Sequence, residues 1–231
     1  MFEGFPEETV RFFLELRFHN NTTFFHEHRD EYEQFVKKPF YSFIEAVAPT
    51  AQKIAPDLEL RPGKCLARIN RDTRYTKDKS PYRDHLWLLL RRSGEQRDLS
   101  CMYWFELSPD RVSWGLGFWN ANRPAMDALR RRMREKPEEV IRALRRSRVP
   151  APDMLVSGER YRRMALPEGL PLELAPYYPL KDIYIQRGEV PLQKIYTPEI
   201  AELFSADLLR LKPLYQLLRR AADEGMAALD A

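Results

Sequence analysis

Three strand-like stretches follow one another closely in the middle of the chain, and this succession constrains the fold more than any other feature. They cover residues 84–91, 98–107 and 111–119. The turn signals Ser93-Gly94 and Pro109-Asp110 separate them, and consecutive strands joined by short turns pair antiparallel. The middle stretch carries apolar side chains on both faces, as a central strand covered on two sides does. The pattern therefore predicts an antiparallel meander.

Helical patterns flank this meander. The chain divides into helical sequence at 5–55, sheet at 58–120, a helical pair at 123–148, irregular sequence plus a strand at 149–190, and C-terminal helices at 198–223. Two further strands are expected, at 64–71 and 181–187. We predict a single α+β domain over residues 1–231. It consists of an antiparallel β-sheet meander of about four to six strands with N-terminal and C-terminal helices packed on it.

The strand at 111–119 has an unusual face, since Gly115 and Gly117 fall on the same side of it. Glycine leaves space above a strand, where another part of the molecule or a ligand approaches the backbone closely. We favour a helix packed tightly on the sheet as the explanation.

A charged stretch, RINRDTRYTKDKSPYRDH, runs from Arg68 to His85 between two predicted strands. Basic side chains held at both ends by a sheet can converge on an anion, arginine through paired hydrogen bonds and lysine as a movable point charge. We therefore predict a pocket for a small ligand that bears a phosphate or a carboxylate. The candidate ligand-binding residues are Arg68, Arg71, Arg74, Lys77, Lys79, Arg83 and Tyr82, with Asn21, Arg29 and Tyr32 from the first helices.

Aspartates alternate with these basic residues, and Asp72 and Asp78 are the candidate catalytic groups. Either would orient the basic side chains or accept a proton. Asp78 precedes Ser80-Pro81 and is expected to close an Asx-turn. The alternative is a structural cluster in which the aspartates pair with the arginines and no ligand binds. The sequence leaves open whether the protein is an enzyme.

A second basic region lies in the predicted helical pair. Between residues 130 and 148 it carries nine arginines and lysines: Arg130, Arg131, Arg132, Arg134, Lys136, Arg142, Arg145, Arg146 and Arg148. Such a run suits a non-enzymatic module that binds nucleic acid or a protein partner. It lacks interleaved aromatic residues and matches no helix-turn-helix or RRM pattern. We therefore favour a solvated helical face over nucleic-acid binding.

Composition excludes several other classes. A net charge of +4 and a pI of about 9.0 permit anionic partners without requiring them. Cys65 and Cys101 fall in apolar stretches and are expected to be reduced, buried thiols. His19, His26 and His28 form no metal-binding pattern, so neither a metal nor a cofactor is expected. With no signal-peptide pattern and no long apolar run, we expect a cytoplasmic protein without membrane contact.

The motifs also resemble a known family. The residues Asn20-Asn21, Phe25, Arg29, Tyr32 and Pro39, followed by RDTRYTKDKSPYR at 71–83, are similar to those of the bacterial and fungal DUF2461 family of unknown function. One departure is Phe24, where family members often carry tryptophan. The resemblance covers nearly the whole chain. It implies helices, an antiparallel sheet and then more helices, with the charged stretch as the site, and it carries no activity.

Overall fold

The computed structural model describes residues 1–118 and 120–229. Within these residues five strands form one antiparallel sheet in the order β1-β2-β3-β5-β4. The strands are β1 Leu86–Leu90, β2 Cys101–Leu107, β3 Val112–Phe118, β4 Met154–Ser157 and β5 Tyr184–Arg187. The α+β class and the meander of the first three strands are confirmed. Trp119, which ends the predicted third strand, lies outside the described residues.

Glycine in β3 serves the sheet itself. β3 pairs with β5 so that Gly115 faces Gln186 and Gly117 faces Tyr184. A Cβ atom on Gly115 would collide with the backbone carbonyl of Ile185, in the neighbouring strand. The element that approaches these glycines is therefore a strand, and the expectation of a helix there was wrong.

Two strand predictions differ from the structure. The stretch 64–71 is not a strand. Pro62 begins a single helical turn, α5, at Pro62–Cys65, and only isolated bridges join Leu66 to Leu88 and Asn70 to Tyr82. The two bridges are four positions apart along one segment, from Leu66 to Asn70, and six positions apart along the other, from Tyr82 to Leu88. Because these spacings differ, a regular antiparallel ladder cannot form between the bridges. β4 lies in the stretch that we expected to be irregular. The sequence did not indicate this strand, because its pairing with β5 is a long-range contact.

Helices occupy both ends of the chain, as the apolar spacing predicts. The first group is α1 Glu7–Phe18, α2 Thr22–Glu27, α3 Arg29–Glu31, a π-helix at Tyr32–Lys37 and α4 Lys38–Ile54. The later ones are α6 Arg123–Glu135, α7 Pro137–Arg146 and α8 Glu199–Ala227. Short 3₁₀ turns lie at Arg97–Leu99, Leu172–Leu174 and Leu192–Tyr196. Pro213 lies inside α8 without ending it.

Contacts between residues group the chain into two compact units. The first comprises Met1–Leu90, Trp104–Trp114 and Glu189–Ala206, and the second Arg91–Tyr103, Gly115–Gly188 and Asp207–Ala231. The first unit has an aromatic core, in which the ring centroids of Phe43 and Phe105 lie 4.4 Å apart. In the second unit the rings of Tyr103 and Tyr215 stack at 5.1 Å. The single-domain organisation stays a prediction.

Candidate functional site

A groove of about 280 Å³ lies in the first unit. One wall is helical and contributes Phe25, Arg29, Tyr32, Glu33, Lys37 and Tyr41. The other wall follows the chain from α5 towards the charged loop and contributes Gly63, Leu66, Ala67, Arg68, Ile69 and Asn70. The groove thus contains three of the predicted ligand-binding residues: Arg29, Tyr32 and Arg68. We call it the basic groove.

The helical wall is a stripe of residues four apart: Phe25, Arg29, Glu33, Lys37 and Tyr41. On an α-helix of 3.6 residues per turn, residues four apart drift by about 40° per step and leave a common face. The wider turn of the π-helix at Tyr32–Lys37 rotates the stripe in the opposite sense and offsets this drift. The π-helix therefore keeps the whole stripe on the basic groove, and such segments recur at functional sites.

The second wall is held by the strand region that follows it. The N–H of Ala67 donates to the carbonyl of Trp87 at 2.9 Å, and the N–H of Arg83 donates to the carbonyl of Ile69 at 2.8 Å. The Arg83 guanidinium reaches the Arg68 carbonyl at 2.9 Å and that of Asn70. Arg83 thus braces the wall and does not itself line the basic groove.

The two walls run in opposite directions. At one end, a Cβ atom on Gly63 would lie 3.2 Å from the hydroxyl oxygen of Tyr41. At the other end, the Phe25 ring stacks on Tyr82 at 4.1 Å, and Tyr82 bridges to Asn70. Arg29 and Arg68 therefore lie towards the same end, one on each wall.

Asn20 fixes this end, although the sequence did not single it out as a site residue. Its side-chain amide donates to the Tyr82 carbonyl and accepts from the Tyr82 N–H, both at 3.0 Å. Its neighbour Asn21, a predicted ligand-binding residue, instead caps α2 by accepting from the N–H of Phe24 at 2.9 Å. Tyr82 is buried behind the basic groove, so Asn21 and Tyr82 have structural contacts here.

Some charged side chains of the basic groove have a partner of opposite charge and others do not. Lys37 pairs with Glu33 at 2.8 Å and lies 5.9 Å from the centre of the Tyr41 ring. The guanidinium groups of Arg29 and Arg68 form no hydrogen bond or ion pair with any residue that the structure describes. Burial raises the pKa of Tyr32 well above its ordinary value, so that phenol remains protonated at neutral pH. The groove therefore offers two free cations beside a protonated phenol.

The loop at 71–80 uses its charges differently. Arg71 pairs with Asp78, and Arg74 pairs with Asp72 at 2.7 Å. Lys79 donates to the carbonyl of Thr73 at 2.7 Å. Among the basic residues of this loop, Lys77 alone makes no such contact within the described part of the chain. The pairing that we considered as the structural alternative is thus present in the loop.

Both candidate catalytic carboxyls are held in their ionised form. The pKa of Asp72 falls to about 2, because the guanidinium and the N–H of Arg74 donate to it. The pKa of Asp78 falls to about 2, because the hydroxyl and N–H of Ser80 and the guanidinium of Arg71 do the same. The 2.9 Å bond from the Ser80 N–H to Asp78 is the predicted Asx-turn. Since carboxylates with so low a pKa are weak bases near neutral pH, their catalytic role stays a prediction that this geometry does not favour.

The second basic region, in α6 and α7, is occupied by internal contacts. Arg130 is buried and donates to the carbonyls of Tyr178, at 3.0 Å, and Leu180, so the interpretation as a wholly solvated face was wrong at this residue. Arg132 pairs with Glu139 at 2.7 Å and with Glu224. Further partners are Glu224 for Arg131, the Tyr178 hydroxyl for Arg134 and Glu173 for Arg145. Binding of nucleic acid or protein there stays a prediction.

The histidines, the cysteines and the lengths of the helices bear on metal sites, disulfides and membrane spans. His28 contacts the carbonyl of Phe24 at 2.8 Å and stacks on its ring at 4.0 Å. Across residues 1–118 and 120–229 there is no group of three or more His, Cys, Asp or Glu side chains that could hold a metal. Cys65 and Cys101 are buried, as expected, and neither forms a disulfide. None of the helices in the described residues combines the length and the apolar character needed to cross a bilayer.

The helical stripe is the signal by which sequence reasoning could have found Glu33, Lys37 and Tyr41. Their spacing of four from Phe25 and Arg29 is legible in the sequence, but a π-helix is not. Asn20 belongs to the family motif, but its spacing did not point to its partner Tyr82, which is 62 residues away.

Comparison with known proteins adds a family and no activity. The family model described as "Conserved hypothetical protein (DUF2461)" matches residues 8–217. No curated protein and no solved structure matches the chain.

Proposed function

Because the chain belongs to the DUF2461 family of conserved hypothetical proteins, whose description carries no activity, we propose a function from the basic groove. The protein binds a small ligand bearing a phosphate or a carboxylate, and Arg29 and Arg68 hold its anionic group. The observation that carries this proposal is that both guanidinium groups lie free in one groove.

Two solvent-exposed guanidinium groups border the same groove. Arginine presents its donors in a planar fork that matches the oxygens of a phosphate or carboxylate. Elsewhere in the first unit arginine finds a partner, as Arg71 does in Asp78 and Arg74 in Asp72. The one carboxylate in the groove, Glu33, pairs with Lys37. Two cations that have no carboxylate partner of their own therefore favour an anion supplied from outside the chain. The protonated phenol of Tyr32 adds a donor in the same groove.

Only some of the predicted ligand-binding residues contact the ligand in this proposal. Arg29, Arg68 and Tyr32 are its contact residues, and Asn70 adds a side-chain amide. Arg83, Tyr82 and Asn21 support the walls through backbone contacts and the helix cap. The loop residues Arg71, Arg74 and Lys79 have partners of their own. The proposal is one of binding, and it assigns no reaction.

A thermal-shift screen tests the proposal. The wild type, Arg29→Gln/Arg68→Gln and the loop control Arg74→Gln are each heated with inorganic phosphate, phosphate esters and mono- and dicarboxylates. A ligand present at 100 times its Kd adds about 2.7 kcal/mol. For a chain of this size we expect a rise in Tm of roughly 5–10 °C.

We expect at least one anion to raise the Tm of the wild type and of Arg74→Gln, and not that of the groove variant. A shift lost in Arg74→Gln and kept in the groove variant would move the site to the loop. No shift with any anion, together with unchanged melting of the unliganded groove variant, would refute the proposal.

A further inference from the structure

Resting on the proposed function, we infer that the ligand is a phosphate monoester on an uncharged, ring-bearing body. Its phosphate lies at the end of the basic groove marked by Phe25, between Arg29 and Arg68. Its body extends along the groove towards Tyr41. The inference rests on the placement of charge along the groove.

Both free cations lie near one end. Arg29 follows Phe25 by four residues on the helical wall, and Arg68 precedes Asn70 by two on the other. Phe25 and Asn70 both contact Tyr82, which marks that end. Along the helical wall, Arg29 lies about one helical turn, or roughly 6 Å, from that end. Along the other wall, Arg68 lies two extended residues, or roughly 7 Å, from it. Both arginines therefore border the same end of the basic groove.

Two positive charges at one end of the groove match a doubly charged group. A phosphate monoester carries a charge of about −1.5 to −2 at neutral pH and offers three acceptor oxygens. A carboxylate or a phosphate diester carries one negative charge and would leave one guanidinium without a counter-charge. The pairing of charges thus favours the monoester among the anions that the proposed function allows.

The rest of the basic groove disfavours a second acidic group. Beyond Arg29 the helical wall presents Glu33 and Lys37, which neutralise each other at 2.8 Å. The other side chains there are the aromatic rings of Tyr32 and Tyr41, with Leu66 and Ala67 opposite. From Arg29 to Tyr41 the helical wall extends on the order of 15 Å. This length and lining suit an uncharged body that contains a ring.

A matched ligand series tests this inference by isothermal titration calorimetry on the full chain. Phenyl phosphate is the monoester, methyl phenyl phosphate the singly charged diester, and benzoate the carboxylate on the same ring. Inorganic phosphate lacks the body. At pH 7 we expect phenyl phosphate to bind about tenfold more tightly than the diester and benzoate, since one further charge-assisted hydrogen bond is worth at least that factor. We expect a similar advantage over inorganic phosphate, because only phenyl phosphate buries a ring.

The pH dependence of binding gives an independent readout. The second pKa of a phosphate ester is about 6, so its affinity should rise about tenfold from pH 5 to pH 7, while that of the diester stays constant. The charged and titratable side chains facing the ligand are Arg29, Glu33, Lys37, Tyr32, Tyr41 and Arg68. None of these is histidine, the side chain that ordinarily titrates in this range, so the change would come from the ligand.

Two variants locate the phosphate. Arg29→Gln should weaken phenyl phosphate and abolish its advantage over the diester, whereas Arg29→Lys, which keeps the charge, should retain most of that advantage. Equal binding of monoester, diester and benzoate would overturn this inference and leave the anion site standing. Equal binding of inorganic phosphate and phenyl phosphate would show that the groove does not bind the ring, and would contradict the ring-bearing body of the proposed ligand. No binding by any of the four would contradict the proposed function as well.

Discussion

The basic groove and the helical pair α6–α7 are both rich in arginine, yet they employ it in opposite ways. In the groove, Arg29 and Arg68 are free of partners within the described part of the chain. In the helical pair, Arg130 is buried under the carbonyls of Tyr178 and Leu180, and Arg132 is held between two glutamates. The difference teaches that the acceptors within reach, and not the number of basic residues, decide whether arginine supports the fold or stays without a partner.

The physical reason is the cost of desolvation. A buried guanidinium is tolerated only where acceptors satisfy its donors, and the side chain of Arg130 is only 6% exposed. Carbonyls at the end of an irregular segment need donors for the same reason. Arg130 and these carbonyls therefore stabilise each other, whereas an exposed guanidinium that borders a groove stays hydrated and needs no acceptor from the chain.

The largest expected effect is a difference in the free energy of unfolding between an arginine variant in the helical pair and one in the basic groove. Arg130→Met should lower the free energy of unfolding by about 3 kcal/mol, because each carbonyl left unsatisfied costs about 1–3 kcal/mol. Arg29→Met, its match in the groove, should change it by no more than about 0.5 kcal/mol. Urea unfolding of both variants measures this. Equal destabilisation would mean that Arg29 has a structural role and that the contrast between the regions does not hold.

Next in size is the anchor of the basic groove. Asn20→Ala leaves the N–H and carbonyl of Tyr82 without their partners, so we expect a loss of about 2 kcal/mol. The neighbouring Asn21→Ala removes only a helix cap and should cost about 1 kcal/mol. Chemical denaturation of the pair measures both. If Asn21→Ala proved the more damaging, the groove would not depend on the Asn20–Tyr82 contact.

Strong acid should break the ion pairs of the loop. The folded-state pKa of Asp72 and of Asp78 is about 2, below the ordinary 3.8. Their ion pairs therefore contribute stability that is fully present above about pH 4 and is lost as the pH falls through 2. NMR titration of the carboxyl carbons should give midpoints near 2, and Arg74→Gln should raise that of Asp72 alone. Unperturbed midpoints in the wild type would show that the loop pairs do not form in solution.

The smallest effect is expected on the outer face of α7. Arg142 and Arg146 make no ion pair among the residues that the structure describes, so Arg142→Gln/Arg146→Gln should leave the Tm within error. We also expect oligonucleotide binding to be weak in both proteins, with no difference between them across a salt titration. Binding that falls steeply with salt in the wild type and is lost in the variant would identify the helical pair as a nucleic-acid surface.

Much of the fold follows from the sequence by itself. Turn residues and short apolar runs located β1, β2 and β3, and proline and capping residues located α6 and α7. The Asx-turn at Asp78 and the burial of both cysteines also follow from local sequence. These features depend on neighbours a few residues away, so composition and spacing carry the necessary information.

Tertiary structure alone decided what the charges do. The sequence placed the anion site along the whole Arg68–His85 stretch, and the fold divided that stretch into a loop with internal ion pairs and a wall with a free arginine. It also joined Asn20 to Tyr82 and turned the stripe from Phe25 to Tyr41 onto one face through a π-helix. Whether a charge has a partner depends on groups brought close by folding, and such distances cannot be read from spacing along the chain.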